Sequence, residues 1–291
     1  MGRKQKTTFF DVINVVFIAC CVLACLAPFL HIASISLSSG GAITAGRVTL
    51  FPIEMNFDAY ISVIKDKAMI RALGFTVLLT VSFTLFAMFM TTLAAYPLSN
   101  DKLKGRKLTM FFILFTMFFS GGLIPEYMLI KSLGLLDTMS VLILPGLISP
   151  FFMIIMITFF RSTIPDSLHE AAEIDGCTHF GKLFRIVLPL SLPVLATLAL
   201  FYAVGRWNGF RDALFYVTDQ NLYPMQLKLY QMVMNNLITE VTASEGSGMD
   251  KVVSESLKAA SIMFATVPIL IVYPWLQRYF VSGLTLGSVK G

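Results

Sequence analysis

Charged residues are scarce in this sequence. Asp, Glu, Lys and Arg make up 13% of its 291 residues and hydrophobic residues 56%, with a mean hydropathy of +0.78. A soluble domain carries about 25% charged and about 45–50% apolar residues. Folded in water, this chain would expose far too much apolar surface, so a bilayer is its natural solvent. Cysteine is confined to Cys20, Cys21, Cys25 and Cys177. Three of these sit in the first apolar run, and no spacing suggests a disulfide framework. The histidines His31, His169 and His179 do not cluster. Metal transporters and intramembrane proteases need His, Asp, Glu or Cys at ligand spacing, so no metal site is expected. A phosphate-binding Gly-x-x-x-x-Gly-Lys sequence is also missing. If this protein uses ATP, another chain binds it, and no cofactor is expected.

What is present is a series of apolar runs, each near the roughly 20 residues that cross a bilayer. They extend from about Val12 to Leu30, Ala72 to Leu98, Leu108 to Gly121-Gly122, Val141 to Phe160, Ile186 to Gly205 and Ala259 to Leu276. The third can continue toward Ile130 through a break at Pro125, since Gly121, Gly122 and Pro125 all disfavour regular helix. The expectation is an all-α polytopic membrane protein with about six spans. Taking the third run to Gly122, none contains Asp, Glu, Lys or Arg. Ion-coupled transporters and proton pumps usually need such groups inside the membrane.

A net charge of +5 and a pI near 9.0 could suggest a nucleic-acid partner, but Lys and Arg also collect on cytoplasmic loops of membrane proteins. Arg3, Lys4 and Lys6 precede the first run, and Lys102, Lys104, Arg106 and Lys107 follow the second. Both clusters, and both termini, are expected in the cytoplasm. The external segments are then about Ser34–Arg71, Lys131–Ser140 and Arg206–Lys258, the last with a flexible polar stretch at Ser244–Gly248. The segment Val22–Cys25 loosely resembles a lipoprotein cleavage box. The run continues past Cys25, however, so the first helix is expected to remain uncleaved.

The cytoplasmic loop at about 162–188 carries the most specific pattern. Pro165 suits a first helical turn, and the acids after it suit the positive helix end. Gly176 is a natural helix stop, and Thr178 can cap a second short helix. That second helix is expected to run straight into the fifth span, where Pro189 and Pro193 can kink the chain and open a cavity. Ala171, Ala172 and Gly176 are small enough to let a partner surface approach. Glu170 and Glu173, three apart, can meet its basic residues. An interfacial lipid-binding helix would be basic on its polar face, whereas this one is acidic.

Glu170-Ala171-Ala172, three residues, Gly176, nine residues and Ile186-Val187-Leu188-Pro189 together resemble the EAA signature of bacterial ABC-importer permeases. Gly121 to Pro125, Leu133-Gly134-Leu135, Leu144-Pro145-Gly146, Trp207-Asn208 and the ending Gly283 to Gly291 resemble the carbohydrate-uptake, MalG-like subfamily. The similarity is strongest to its LplC/YtcP-like branch, associated with oligosaccharides from pectin or alginate. The resemblance implies a type I (MetI/MalG-like) permease fold, one domain over 1–291, and no catalytic site. It implies a first helix at about 12–30, a core at about 71–280 and a tail at 281–291. It implies that loop 162–188 is a coupling helix seated on the ATPase, through Glu170, Ala171, Ala172, Glu173, Gly176, Leu188 and Pro189. The tail, with Gly287 and Lys290, would reach between the ATPase subunits. The implied partners are a second, non-identical permease, two ATPase subunits, an extracytoplasmic sugar-binding protein and the bilayer.

Sugar sites pair aromatic faces with hydrogen-bonding side chains. Tyr127, Tyr202, Trp207 and Asn208 are the available candidates, although Trp and Tyr also mark membrane interfaces. Two other functions fit the residues alone. One is an ABC permease for a non-sugar solute, and the other is a membrane scaffold or receptor that transports nothing.

Overall fold

The computed structural model describes residues 9–242 and 248–285. The amino-terminal basic cluster, the centre of the Ser244–Gly248 stretch, and Gly287 and Lys290 lie outside the described residues. Helix accounts for most of the chain, and no strand occurs among the described residues. In chain order the helices are α1 (Phe9–Ser36), α2 (Gly40–Thr44), α3 (Asp58–Lys65), α4 (Lys67–Ser99), α5 (Arg106–Phe118), α6 (Leu123–Ser132) and α7 (Pro150–Thr163). They continue with α8 (Asp166–Ile174), α9 (His179–Lys182), α10 (Leu188–Leu190), α11 (Leu192–Asn208), α12 (Arg211–Tyr216), α13 (Met225–Thr242) and α14 (Gly248–Thr285). One π turn, Leu183–Val187, joins α9 to α10.

Among the described residues three segments are long and apolar enough to cross a membrane unbroken: Phe9–Ser36, Lys67–Ser99 and Glu255–Val272. Three bent pairs raise the number to as many as six. The expected six runs are therefore present, and half of them are broken. The third run turns by 114° between α5 and α6. Gly122, at φ 89°, takes a backbone conformation that a side chain would disfavour, and Pro125 follows in the first turn of α6. The fourth run opens on two short 3-10 turns, Met139–Leu142 and Leu144–Gly146, and bends by 49° into α7. Pro150 starts α7, and Ser149 Oγ caps it by accepting from Phe152 N.

The fifth run corrects an expectation. The second loop helix does not run straight into the membrane: His179–Leu190 meets α11 at 82°. Pro189 and Pro193 flank the turn at Ser191, and neither has an N–H to continue the ladder. The segment Arg206–Lys258 also departs from a long loop. It contains α12, a 3-10 turn at Gln220–Leu222, α13 and the start of α14. Likewise α1 continues to Ser36, and Ser34–Arg71 holds α2, α3 and the first residues of α4.

Two compact units are present. The first comprises the chain up to Ile70 with Leu229–Val267. Most of α1 is exposed and apolar all round, as a lipid-facing helix should be. The chain after it folds back on itself. His31 Nδ1 meets Thr49 O at 2.7 Å, Ser36 Oγ meets Tyr60 Oη at 2.8 Å, and Ser39 N donates to Ile53 O.

The second unit comprises Arg71–Lys228 with the chain from Pro268. Its core joins Ala95 and Leu98 of α4, Met153, Met156, Ile157 and Phe160 of α7, Leu183 and Val187 of the π turn, and Val194 and Leu198 of α11. This cluster bridges the 82° bend. The loop is therefore made rigid with the span by packing rather than by helix continuity.

Candidate functional site

The loop between α7 and α11 folds as helix, glycine turn and helix. Pro165, with extended backbone, is the N-cap of α8 rather than a residue of its first turn. At the other end, Gly176 N donates to Glu173 O at 3.0 Å and Cys177 N to Ala172 O at 2.9 Å. With Gly176 at φ 72°, these two bonds form the Schellman stop that the sequence suggested. Thr178 Oγ1 then accepts from Gly181 N at 3.1 Å and caps α9.

Successive residues of a helix are about 100° apart, so α8 sorts its side chains onto separate faces. Ala172 turns inward and is buried, whereas Glu170 and Ala171 are exposed. Ala172 therefore packs against its own chain, and Glu170 and Ala171 are left open to solvent. Ile174 shares their face and is 87% exposed. It was not among the candidates that the sequence singled out. The signal was an isoleucine four residues after Glu170, a spacing that puts both on one helix face. Of the remaining motif residues, Leu188 is half-buried and Pro189 exposed at the bend.

Glu173 is also placed differently from Glu170. Lys182 Nζ donates to Glu173 Oε1 at 2.6 Å, and the lysine side chain is only 2% exposed. A buried ammonium needs a carboxylate close by, and here one loop helix supplies it to the other. The hydrogen bond and positive charge of Lys182 hold the Glu173 carboxyl below its ordinary value. A depressed folded value contributes stability that is complete above the unfolded carboxylate range. It is lost only as the pH falls through the folded value.

The substrate-path candidates are engaged locally. Tyr202 is buried: its hydroxyl meets Thr91 Oγ1 at 2.8 Å and accepts from Ser149 N at 3.1 Å, while Phe152 packs edge-on at 4.8 Å. Trp207 is buried as well. Tyr127 is partly exposed and stacks on Tyr216 at 6.1 Å. Asn208 is exposed and donates to Val204 O. Beside the bend runs a groove of about 440 Å³ whose only polar side chains are Thr84 and Thr92.

An ionisable residue is also buried at the end of the fifth span. Arg206 lies in α11, buried, with Nη1 donating to Leu142 O at 2.9 Å and both Nη atoms on Asp212. Its guanidinium also sits 5.7 Å from the Phe83 ring centre. It ties the end of α11 to α12 and to the Met139–Leu142 turn. Beyond it, Asp137 accepts from Thr218 N, Thr218 Oγ1 and Asp219 N, which hold its carboxyl below its ordinary value.

A family of inner-membrane components of binding-protein-dependent transport systems matches residues 68–286. The chain belongs to this family. It is 43% identical over 293 residues to protein LplC of Bacillus subtilis (strain 168), covering 100% of this chain and 98% of that protein. It is 41% identical over 287 residues to the polygalacturonan/rhamnogalacturonan transport system permease protein YtcP of the same strain, covering 99% of this chain and 100% of that one. Among solved structures, a chain of a bacterial ABC transporter involved in the import of the acidic polysaccharide alginate superposes with a TM-score of 0.85 at 31% identity. That match covers 95% of this chain and 100% of the other. The fold is thus the all-α permease fold of ABC importers. The protein is a non-catalytic transmembrane subunit, and ATP hydrolysis belongs to a separate chain.

Proposed function

We propose that this chain forms half of the channel of an importer for oligosaccharides cut from acidic polysaccharides such as pectin or alginate. It pairs with a second, non-identical permease, two ATPase subunits and an extracytoplasmic sugar-binding protein. The observation that carries the coupling role is the exposed face Glu170, Ala171 and Ile174 on a loop packed rigidly into the core across the bend. The substrate class is supported by the YtcP and alginate-importer similarities, since polygalacturonan and alginate are both polyuronates. Of the path candidates, Tyr127 and Asn208 have exposed surface for sugar contact. Tyr202 and Trp207 would need a conformation that opens the packing around them. The test is ATP-driven uptake by the reconstituted importer. Labelled oligogalacturonate or oligoalginate should accumulate and a neutral maltooligosaccharide should not. Equal uptake of both would remove the acidic assignment.

We place the protein in the bacterial cytoplasmic membrane as one permease domain over 1–291, with both termini in the cytoplasm. A reporter active only in the cytoplasm should work when fused at Gly105 or Gly176 and fail at Ser247. Activity at Ser247 would invert this topology. The tail at 281–291, with Gly287 and Lys290, is assigned to the ATPase interface. Its removal should lower ATPase activity while the protein stays in the membrane, and unchanged ATPase and transport would contradict the assignment.

A further inference from the structure

A groove of about 1360 Å³ lies between α4, α5, α7 and the loop helices. Its apolar lining includes Leu93, Met110, Ile154 and Ile157, which belong to the second, third and fourth apolar runs. Its polar lining is predominantly cationic. Five Lys and Arg side chains, Lys102, Lys104, Arg106, Arg161 and Lys182, face three carboxylates. Two of the three are already engaged. Asp101 accepts from Arg106 Nη1 and, at 2.8 Å, from Arg161 Nη2, so one carboxylate is shared by two guanidiniums. Glu173 serves Lys182. Lys102 and Lys104 are exposed in the turn between α4 and α5.

We infer that this groove holds an anionic phospholipid of the cytoplasmic leaflet. The phosphate lies among Lys102, Lys104 and the two arginines, and an acyl chain lies along Leu93, Met110 and Ile154. The inference rests on the cytoplasmic placement of the Lys102–Lys107 turn proposed above. Two features select this occupant. The cytoplasmic leaflet is negatively charged, and basic pockets between spans on that side suit its headgroups. A soluble protein could match the cations but would have to present an apolar tail to the span residues. A lipid carries phosphate and tail in one molecule.

The test uses the transporter purified whole from its membrane and placed in nanodiscs of equal parts phosphatidylglycerol and phosphatidylcholine. Lipid retained after re-extraction in mild detergent is counted by mass spectrometry. The wild type should retain phosphatidylglycerol over phosphatidylcholine. The double variant Lys102→Gln/Lys104→Gln, at two exposed turn positions, should retain several-fold less. Met110→Trp, which fills the apolar lining without changing charge, should show the same loss. Soluble glycerol phosphate should not displace the lipid. Displacement by it would mean a site for a free phosphate anion and would overturn the inference. Undiminished phosphatidylglycerol in both variants would also overturn it, as would loss of the ATPase subunit from the double variant with lipid retention unchanged. The lipid count does not depend on which sugar is carried. Selective retention without uronate uptake would sink the transport reading and leave the lipid site standing.

Discussion

Gly176→Val and Glu170→Lys should each leave the permease in the membrane, stripped of its ATPase and unable to import. Gly176 holds the Schellman turn at φ 72°, and a Cβ there would touch nothing within 4 Å. The expected damage is therefore conformational rather than steric. A left-handed backbone costs a side-chain-bearing residue about 1–2 kcal/mol, and a β-branched one more. The relief is to unwind the turn, which moves α8 on α9 and tilts the face of Glu170, Ala171 and Ile174. Glu170 itself is exposed, so its reversal to lysine spares the fold. It places a cation where a basic partner surface is expected, and losing one member of a desolvated charge pair costs about 2–5 kcal/mol at an interface. The measurement is ATPase recovery in a pull-down together with uptake. Normal recovery and uptake in both variants would rule out this loop as the ATPase contact.

The Glu173–Lys182 pair should behave as an internal strut and not as part of the docking face. Glu173→Gln leaves a buried ammonium without its carboxylate, so it should be the more harmful single change and lower uptake. Lys182→Met removes the buried charge with a side chain of similar length, a replacement that is often neutral or stabilising. Once residue 182 is methionine, Glu173→Gln should cost little more. This non-additivity separates the two roles. If Glu173 contacts the ATPase directly, its replacement will reduce ATPase recovery by the same factor whether residue 182 is lysine or methionine.

Much of this was legible in the sequence for specific reasons. Run length and apolar content set the number of spans because the bilayer fixes both. Gly121, Gly122 and Pro125 marked the break in the third run because each has a backbone preference of its own. Gly176 and Thr178 marked the loop turn for the same reason. The pairings were not legible. Lys182 reads as an ordinary polar-loop residue until the fold buries it beside Glu173. Arg206 and Asp212 lie on different helices, and no periodicity links them. Pro189 and Pro193 announced a kink, but its size depends on tertiary packing. The core that forms across the bend makes an 82° turn compatible with a rigid lever.

A photo-crosslinking residue in place of Ile174 tests the central claim most directly. Ile174 is exposed on the same face as Glu170. Phe111 of α5 is exposed too, on an apolar helix with no buried side chain, and serves as the lipid-facing control. In membranes containing the whole importer, irradiation should join the ATPase subunit to the Ile174 position and not to the Phe111 position. A permease that yields no ATPase adduct from Ile174, or an equal amount from Phe111, would contradict the account.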